Sequence, residues 1–196
     1  MQSIVETIKN KQLNAEVVAV IANKAEAQGI QWAEQHGLTT CVLEHTQFAN
    51  RQQFDRQLAA VIHEYSPDYV LLAGFMRILT PEFVAQFEDR LINIHPSLLP
   101  LFPGLNTHQQ AIDAGLQWHG CTVHFVTAVL DHGPIIAQGI VPVHHDDDAK
   151  QLAARLLDIE HRVYNEVVHW LVAGQVQRLA DGRVQVLGVS HRAFAL

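Results

Sequence analysis

Leu91-Ile92-Asn93-Ile94-His95-Pro96-Ser97-Leu98-Leu99-Pro100 reads as a strand that stops abruptly. Leu91 to His95 has the character of a buried strand, and Pro96 cannot donate a ladder hydrogen bond, so pairing ends just after the imidazole. Asn93 and His95 are two residues apart and project from one face. Polar side chains at the carboxyl end of a strand lie where open α/β sheets bind their ligands. The upstream sequence supplies such a sheet. Tyr69 to Ala73 (YVLLA) is a continuous apolar run, as in parallel strands covered on both faces. Gly74 then opens a loop, and Thr80-Pro81-Glu82 reads as an N-cap followed by proline at the first helical position. Further upstream, Glu16 to Ile21 reads as a strand, Lys24 to His36 as a helix ended by Gly37, and Thr40 to Leu43 as a short strand. Arg51 to Tyr65 has helical spacing through Phe54, Leu58, Val61, Ile62 and Tyr65, and Ser66-Pro67 ends it.

Downstream the pattern changes. Gly120 to Val126 and Ile135 to Val143 are alternating or β-branched runs joined by the turn Asp131-His132-Gly133-Pro134, with no helix between them. They read as paired strands that make one edge of the sheet mixed. Asp146 to Ala173 reads as a long helix with three aspartates near its positive end, and Arg183 to Leu187 as an arm of a final hairpin. Met1 to Lys11 is helical through Ile4, Val5 and Ile8. The fold class is therefore α/β, Rossmann-like: a mainly parallel central sheet with a mixed or antiparallel edge, helices on both faces, and one domain over residues 1–196. A doubly wound fold normally opens with a strand and a glycine-rich turn, whereas this chain opens with a helix, so the first strand is expected to be absent.

Composition narrows the function. The net charge is −7 with histidines neutral and the basic residues are scattered, so no positive stripe for nucleic acid exists. The two cysteines, Cys41 and Cys121, are too few and too far apart for a disulfide framework or zinc site. No apolar run approaches membrane-spanning length and the start is not a signal peptide, so a soluble, cytoplasmic protein without membrane partners is expected. His144-His145-Asp146-Asp147-Asp148 tempts a metal reading, but adjacent strand residues point to opposite faces and an aspartate-rich helix entry explains the run better; no metal is expected. His119 and His124 differ by an odd spacing and face opposite ways.

The chemistry on offer is an amide donor, an imidazole and a carboxylate. Asn93 and His95 alone are compatible with strand-end polar residues satisfied by backbone, and Asp131 alone is good turn chemistry. Together they fit a site better. Asn93 can stabilise an oxyanion, His95 can donate when protonated, and Asp131, if it approaches His95, would favour the imidazolium and fix its orientation.

Asn93–Pro100 followed by Phe102-Pro103-Gly104-Leu105-Asn106-Thr107-His108 resembles the folate-dependent glycinamide ribonucleotide formyltransferases of purine synthesis. Ala73–Leu79 (AGFMRIL), His119–Val126 (HGCTVHFV) and Asp131–Pro134 (DHGP) are similar to that family too, in the same order. The resemblance runs from Met1 to about Gly174. It implies a one-carbon transferase that moves the formyl group of 10-formyltetrahydrofolate to the amine of glycinamide ribonucleotide, with Asn93, His95 and Asp131 as catalytic residues and no metal. It further implies a folate site built from Arg51, Met76, Arg77, Ile78, Leu79, Asn93, Val126, Thr127, Leu130 and Asp131, with Phe83, Val84 and Leu91 matching its apolar lining. Glu160 matches the carboxylate that binds the ribose hydroxyls. Apart from the resemblance, the lining residues read equally as core, and Arg51 and Glu160 as solvated helix positions.

Three departures qualify the match. The family begins with a strand and a Ser-Gly-x-Gly-Ser-Asn loop whose amides hold the substrate phosphate, and Met1 aligns just after that loop, so the first central strand and phosphate cradle are expected to be missing. That would leave edges open to strand exchange or a homodimer. Leu157 stands where the family has a glutamine near the substrate, which puts that substrate contact in doubt. His132 replaces a small residue beside Asp131. Two alternatives stay open: a catalytically silent folate-binding or oligomerising remnant, and another transferase or hydrolase that uses 10-formyltetrahydrofolate.

Overall fold

The computed structural model describes residues 1–196. Its elements run α1 (Gln2–Asn10), β1 (Val20–Ala22), α2 (Gln28–Gln35), β2 (Thr40–Val42), α3 (Arg51–Tyr65), β3 (Val70–Leu72), α4 (Pro81–Gln86), β4 (Leu91–His95), α5 (Thr107–Asp113), β5 (Trp118–Phe125), β6 (Ile135–Pro142), α6 (Ala149–Val172), β7 (Val176–Arg178), β8 (Val184–Val186) and β9 (Ala193–Ala195). Five strands form the main sheet in the order β3-β4-β5-β6-β9. β3 and β4 are parallel, β5 and β6 join antiparallel, and β9 returns parallel to β6. The mixed part of the sheet thus begins beside β4, the strand that carries Asn93 and His95. β1 and β2 form a separate parallel pair, and β7 and β8 a small antiparallel one.

Alternation along β4 divides the interior. Leu91 belongs to one apolar cluster with Phe54, Leu58, Ile62, Phe83 and Phe87, under α3 and α4. Ile92 belongs to the other, with Val123, Ile136, Leu152, Leu156 and Val163, under α6. Helices therefore cover both faces, and neighbouring side chains of one strand feed different cores. Phe83 and Leu91, matched to a ligand lining by resemblance, are almost wholly buried inside the α3–α4 cluster, which is the core reading of those two residues.

The helix ends follow local chemistry. The Asn50 side chain accepts from the Gln53 amide at 2.9 Å, and α3 closes at Ser66 in the left-handed region before Pro67. Thr80 caps α4 through the Phe83 amide, with Pro81 at the first position. Asp148 and Gln151 form a reciprocal capping box on α6, so the helix starts just after the aspartate run. From α6, the Tyr164 hydroxyl reaches the carbonyls of Leu72 (3.0 Å) and Ile92 (3.2 Å), tying the helix to both parallel strands. No helix is long and apolar enough to cross a membrane.

Candidate active site

Asn93 and His95 project from the same face of β4, and the ladder to β5 sets His124 opposite Asn93 and Thr122 opposite His95. The turn after β5 brings Asp131 back over them. Its Oδ2 lies 3.5 Å from His95 Nδ1, with both side chains about 7% exposed. The other ring nitrogen, His95 Nε2, is 2.9 Å from the carbonyl of Phe102. An imidazole has a single donor when neutral and two when charged. His95 therefore faces an acceptor on each side: Nε2 meets the Phe102 carbonyl and Nδ1 meets the Asp131 carboxylate.

The same carboxylate oxygen takes a second contact. The Gly104 amide donates to Asp131 Oδ2 at 2.9 Å, so the segment Phe102–Gly104 touches both the imidazole and the carboxylate. Phe102, Gly104, Asn106 and Asp131 all have φ between +52° and +85°. For the three residues that carry a Cβ this is an uncommon conformation, of the kind that persists where surrounding contacts dictate it. Two residues past Asp131, a Cβ added at Gly133 would lie 1.6 Å from the Phe125 carbonyl oxygen, so this turn demands glycine to pass so close to β5.

His124 completes the cluster. Its Nε2 is 3.5 Å from the Asn93 amide nitrogen and 4.0 Å from Asp131 Oδ1, and its Nδ1 is 2.9 Å from the Phe125 carbonyl. Burial holds this imidazole below its ordinary pKa, against the opposing pull of the Phe125 carbonyl and of Asp131. Burial favours the neutral ring, in which Nδ1–H donates to the Phe125 carbonyl and Nε2 is left to accept from Asn93. Behind His95, His108 and His119 meet edge to face at 5.3 Å. Burial pushes His119 down to about 4, and burial and then His95 lower His108. Both shifts favour the neutral ring, and Asp131 is the carboxylate that faces His95. His124 drew no assignment from its spacing; only the β4–β5 register places it at the site.

The loop Met76–Leu79 is positioned by α3. Arg51 donates to the Ile78 carbonyl at 3.3 Å, Arg77 lies 4.9 Å above the Phe54 ring, and buried Asp55 accepts the Thr80 amide at 2.6 Å. Met76 and Ile78 nevertheless stand 79% and 55% exposed, and Leu130 is exposed on the neighbouring turn. The loop and the neighbouring turn thus present apolar side chains to solvent. Past the end of β5 a cleft of about 200 Å³ is lined by Val84, Phe125, Val126, Thr127, Ala128 and Arg178 among others. Val126 and Thr127 thus reach it, while Met76, Arg77, Ile78, Leu79 and Leu130 do not. A broader hollow of about 530 Å³ lies between the carboxyl-terminal arms and contains none of the expected residues.

On α6, burial pushes the Glu160 carboxyl from about 4.5 up to about 7, and Glu160 in turn adds to the burial that drives the Cys121 thiol up to about 12. Leu157, one turn earlier, is exposed, and so is His132, whose Nδ1 lies 2.7 Å from the Leu130 carbonyl. No group of three histidine, cysteine, aspartate or glutamate side chains is arranged to hold a metal ion.

Comparison with known proteins decides the family. Residues 1–168 match the family model described as formyl transferase. The chain is 45% identical over 177 residues to the phosphoribosylglycinamide formyltransferase of Escherichia coli, covering 90% of this chain and 84% of that protein. This chain belongs to the phosphoribosylglycinamide formyltransferase family. A solved structure of the Coxiella burnetii member superposes with a TM-score of 0.90 at 40% identity, over 98% of this chain and 92% of that one. The formyltetrahydrofolate deformylase of Burkholderia mallei shares the fold at a TM-score of 0.82 and 31% identity, but this chain spans only 66% of it. As a member of the family this chain is a transferase, and the cluster of Asn93, His95 and Asp131, with His124 behind them, is its candidate active site.

Proposed function

We propose that this enzyme transfers the formyl group of 10-formyltetrahydrofolate to the amine of glycinamide ribonucleotide, in purine synthesis, without a metal. The observation that carries the reading is the His95–Asp131 pair, buried, with the imidazole facing acceptors on both nitrogens and an amide donor two residues away on the same strand. Attack of an amine on a formyl carbon makes a tetrahedral centre bearing an oxyanion. The Asn93 amide is the donor positioned to stabilise it, and the His95 ring, when protonated, places positive charge beside it. The attacking nitrogen must lose a proton and the departing folate nitrogen must gain one, and Asp131 is the carboxylate nearest to accept and pass it on. Met76, Ile78 and Leu130 supply apolar surface for the folate ring system, together with Val126 and Thr127, and Leu79 and the backbone of Arg77 continue the same loop. Arg51 at the start of α3 would face the acidic tail of the folate. Glu160 would accept from the ribose hydroxyls, while Leu157 can make no polar contact.

The test is formyl transfer itself. Purified enzyme with both substrates should release tetrahydrofolate and formylglycinamide ribonucleotide in equal amounts. Free formate appearing in place of the formylated ribonucleotide would reject the transferase reading and favour a hydrolase.

A further inference from the structure

We infer that Gln138, on β6, is a positioning residue that fixes the Phe102–Gly104 segment facing His95 and Asp131 through a largely buried relay, a role that rests on the catalytic reading of His95 above. The amide nitrogen of Gln138 donates to Thr122 Oγ1 at 3.0 Å and to the Leu99 carbonyl at 3.1 Å. Thr122, fully buried and paired with His95 across the β4–β5 ladder, donates its hydroxyl to the Ser97 carbonyl at 2.7 Å and accepts the Leu99 amide at 3.0 Å. Ser97, also fully buried, donates its hydroxyl to the Leu101 carbonyl at 2.6 Å. The next residue is Phe102, whose carbonyl meets His95 Nε2, and Gly104, two further on, donates to Asp131.

The relay is saturated. Thr122 Oγ1 has one proton and two lone pairs, and all three are used; both Gln138 amide protons are used as well. A fully connected network of this kind admits one arrangement, because removing any member leaves a buried polar group without a partner. What it fixes is a loop that two residues in the left-handed region, Phe102 and Asn106, would otherwise leave free to relax. Gln138 touches neither His95 nor Asp131, and it acts only through the loop that binds both.

Gln138→Leu and Thr122→Val, with Gln138→Glu as a volume-conserving second variant, test this. Displacing a carbonyl on the catalytic imidazole by about an ångström costs on the order of 10–100-fold in rate. The expected result is a fall of that size in kcat with KM for both substrates within twofold. The double variant Gln138→Leu/Thr122→Val should be no slower than Thr122→Val alone. A second readout needs no substrate: long-range proton–nitrogen spectra of the imidazoles, assigned against His95→Ala, should show the His95 Nε2 signal shifted in each variant. Wild-type kcat together with an unchanged His95 signal would overturn the proposal. If the parent enzyme fails to formylate glycinamide ribonucleotide, the spectra alone decide the positioning role, separately from the substrate assignment.

Discussion

Replacing Glu160 by glutamine should stabilise the protein and impair it, and the two effects have one cause. The carboxyl sits largely buried on α6, and desolvation raises its pKa from about 4.5 to about 7. Between those two values the folded protein keeps a proton that the unfolded chain has lost, so stability falls as pH rises through the window and is flat on either side. At 1.36 kcal/mol per pH unit the full penalty is at most about 3–4 kcal/mol above pH 7. Glutamine has the same shape and no charge to desolvate. Glu160→Gln should therefore gain about 1–3 kcal/mol at pH 8, roughly 2–12 °C in Tm for a chain of this size, and gain nothing at pH 4, where the parent carboxyl is already neutral. Thermal unfolding of both proteins at the two pH values checks it. An equal shift at both, or none at pH 8, would refute the reasoning. In the reaction the same change should raise KM for the ribonucleotide about ten- to a hundredfold, because a hydrogen bond to a charged acceptor is worth about 1.5–3 kcal/mol.

Asp131→Asn keeps an oxygen for the Gly104 amide but removes the charge facing His95, so kcat should drop on the order of 10²–10³-fold with little change in KM; steady-state kinetics decides it. Asp55→Ala strips the Thr80 amide of its acceptor and should raise KM for the folate without lowering kcat at saturation, while Asp55→Asn, which still accepts, should restore it. Gly133→Ala should destabilise by about 1–3 kcal/mol in urea denaturation, since its methyl meets the Phe125 carbonyl oxygen.

Much of this could be read from the sequence where local chemistry and long-range need coincide. α3 begins at Arg51 and ends before Ser66-Pro67 because cap and breaker are both side-chain signals. Asn93 and His95 were legible as a pair because strand alternation is local, and Asp131 because its turn joins two strands. Glu16–Ala19 reads as strand but stays outside the ladder, since β2 offers only Thr40–Val42 to pair with Val20–Ala22. α5 escaped notice for want of a side-chain cap: Asn106 is left-handed and makes none. The Phe102 carbonyl and the Gly104 amide were invisible, because backbone groups carry no residue signature. His124 became a site residue only when the register was known.

β9 has a consequence for handling the protein. Three residues, Ala193–Ala195, occupy the outer edge of β6 at Gln138–Ile140, fastened by Arg192 to the carbonyls of Ile135 and Ile136 and by Phe194 packed near Trp170 beneath Arg162. The strand, Arg192 and Trp170 all lie beyond residues 1–168, the stretch that matches the family model. A domain boundary drawn at the end of that match would strip this guard, cut into the last turn of α6 and leave β6 with a bare edge. Such edges recruit other chains, so the shortened protein would be expected to clump at concentrations where residues 1–196 stay dispersed, and a tag fused directly after Leu196 would press on the same seam.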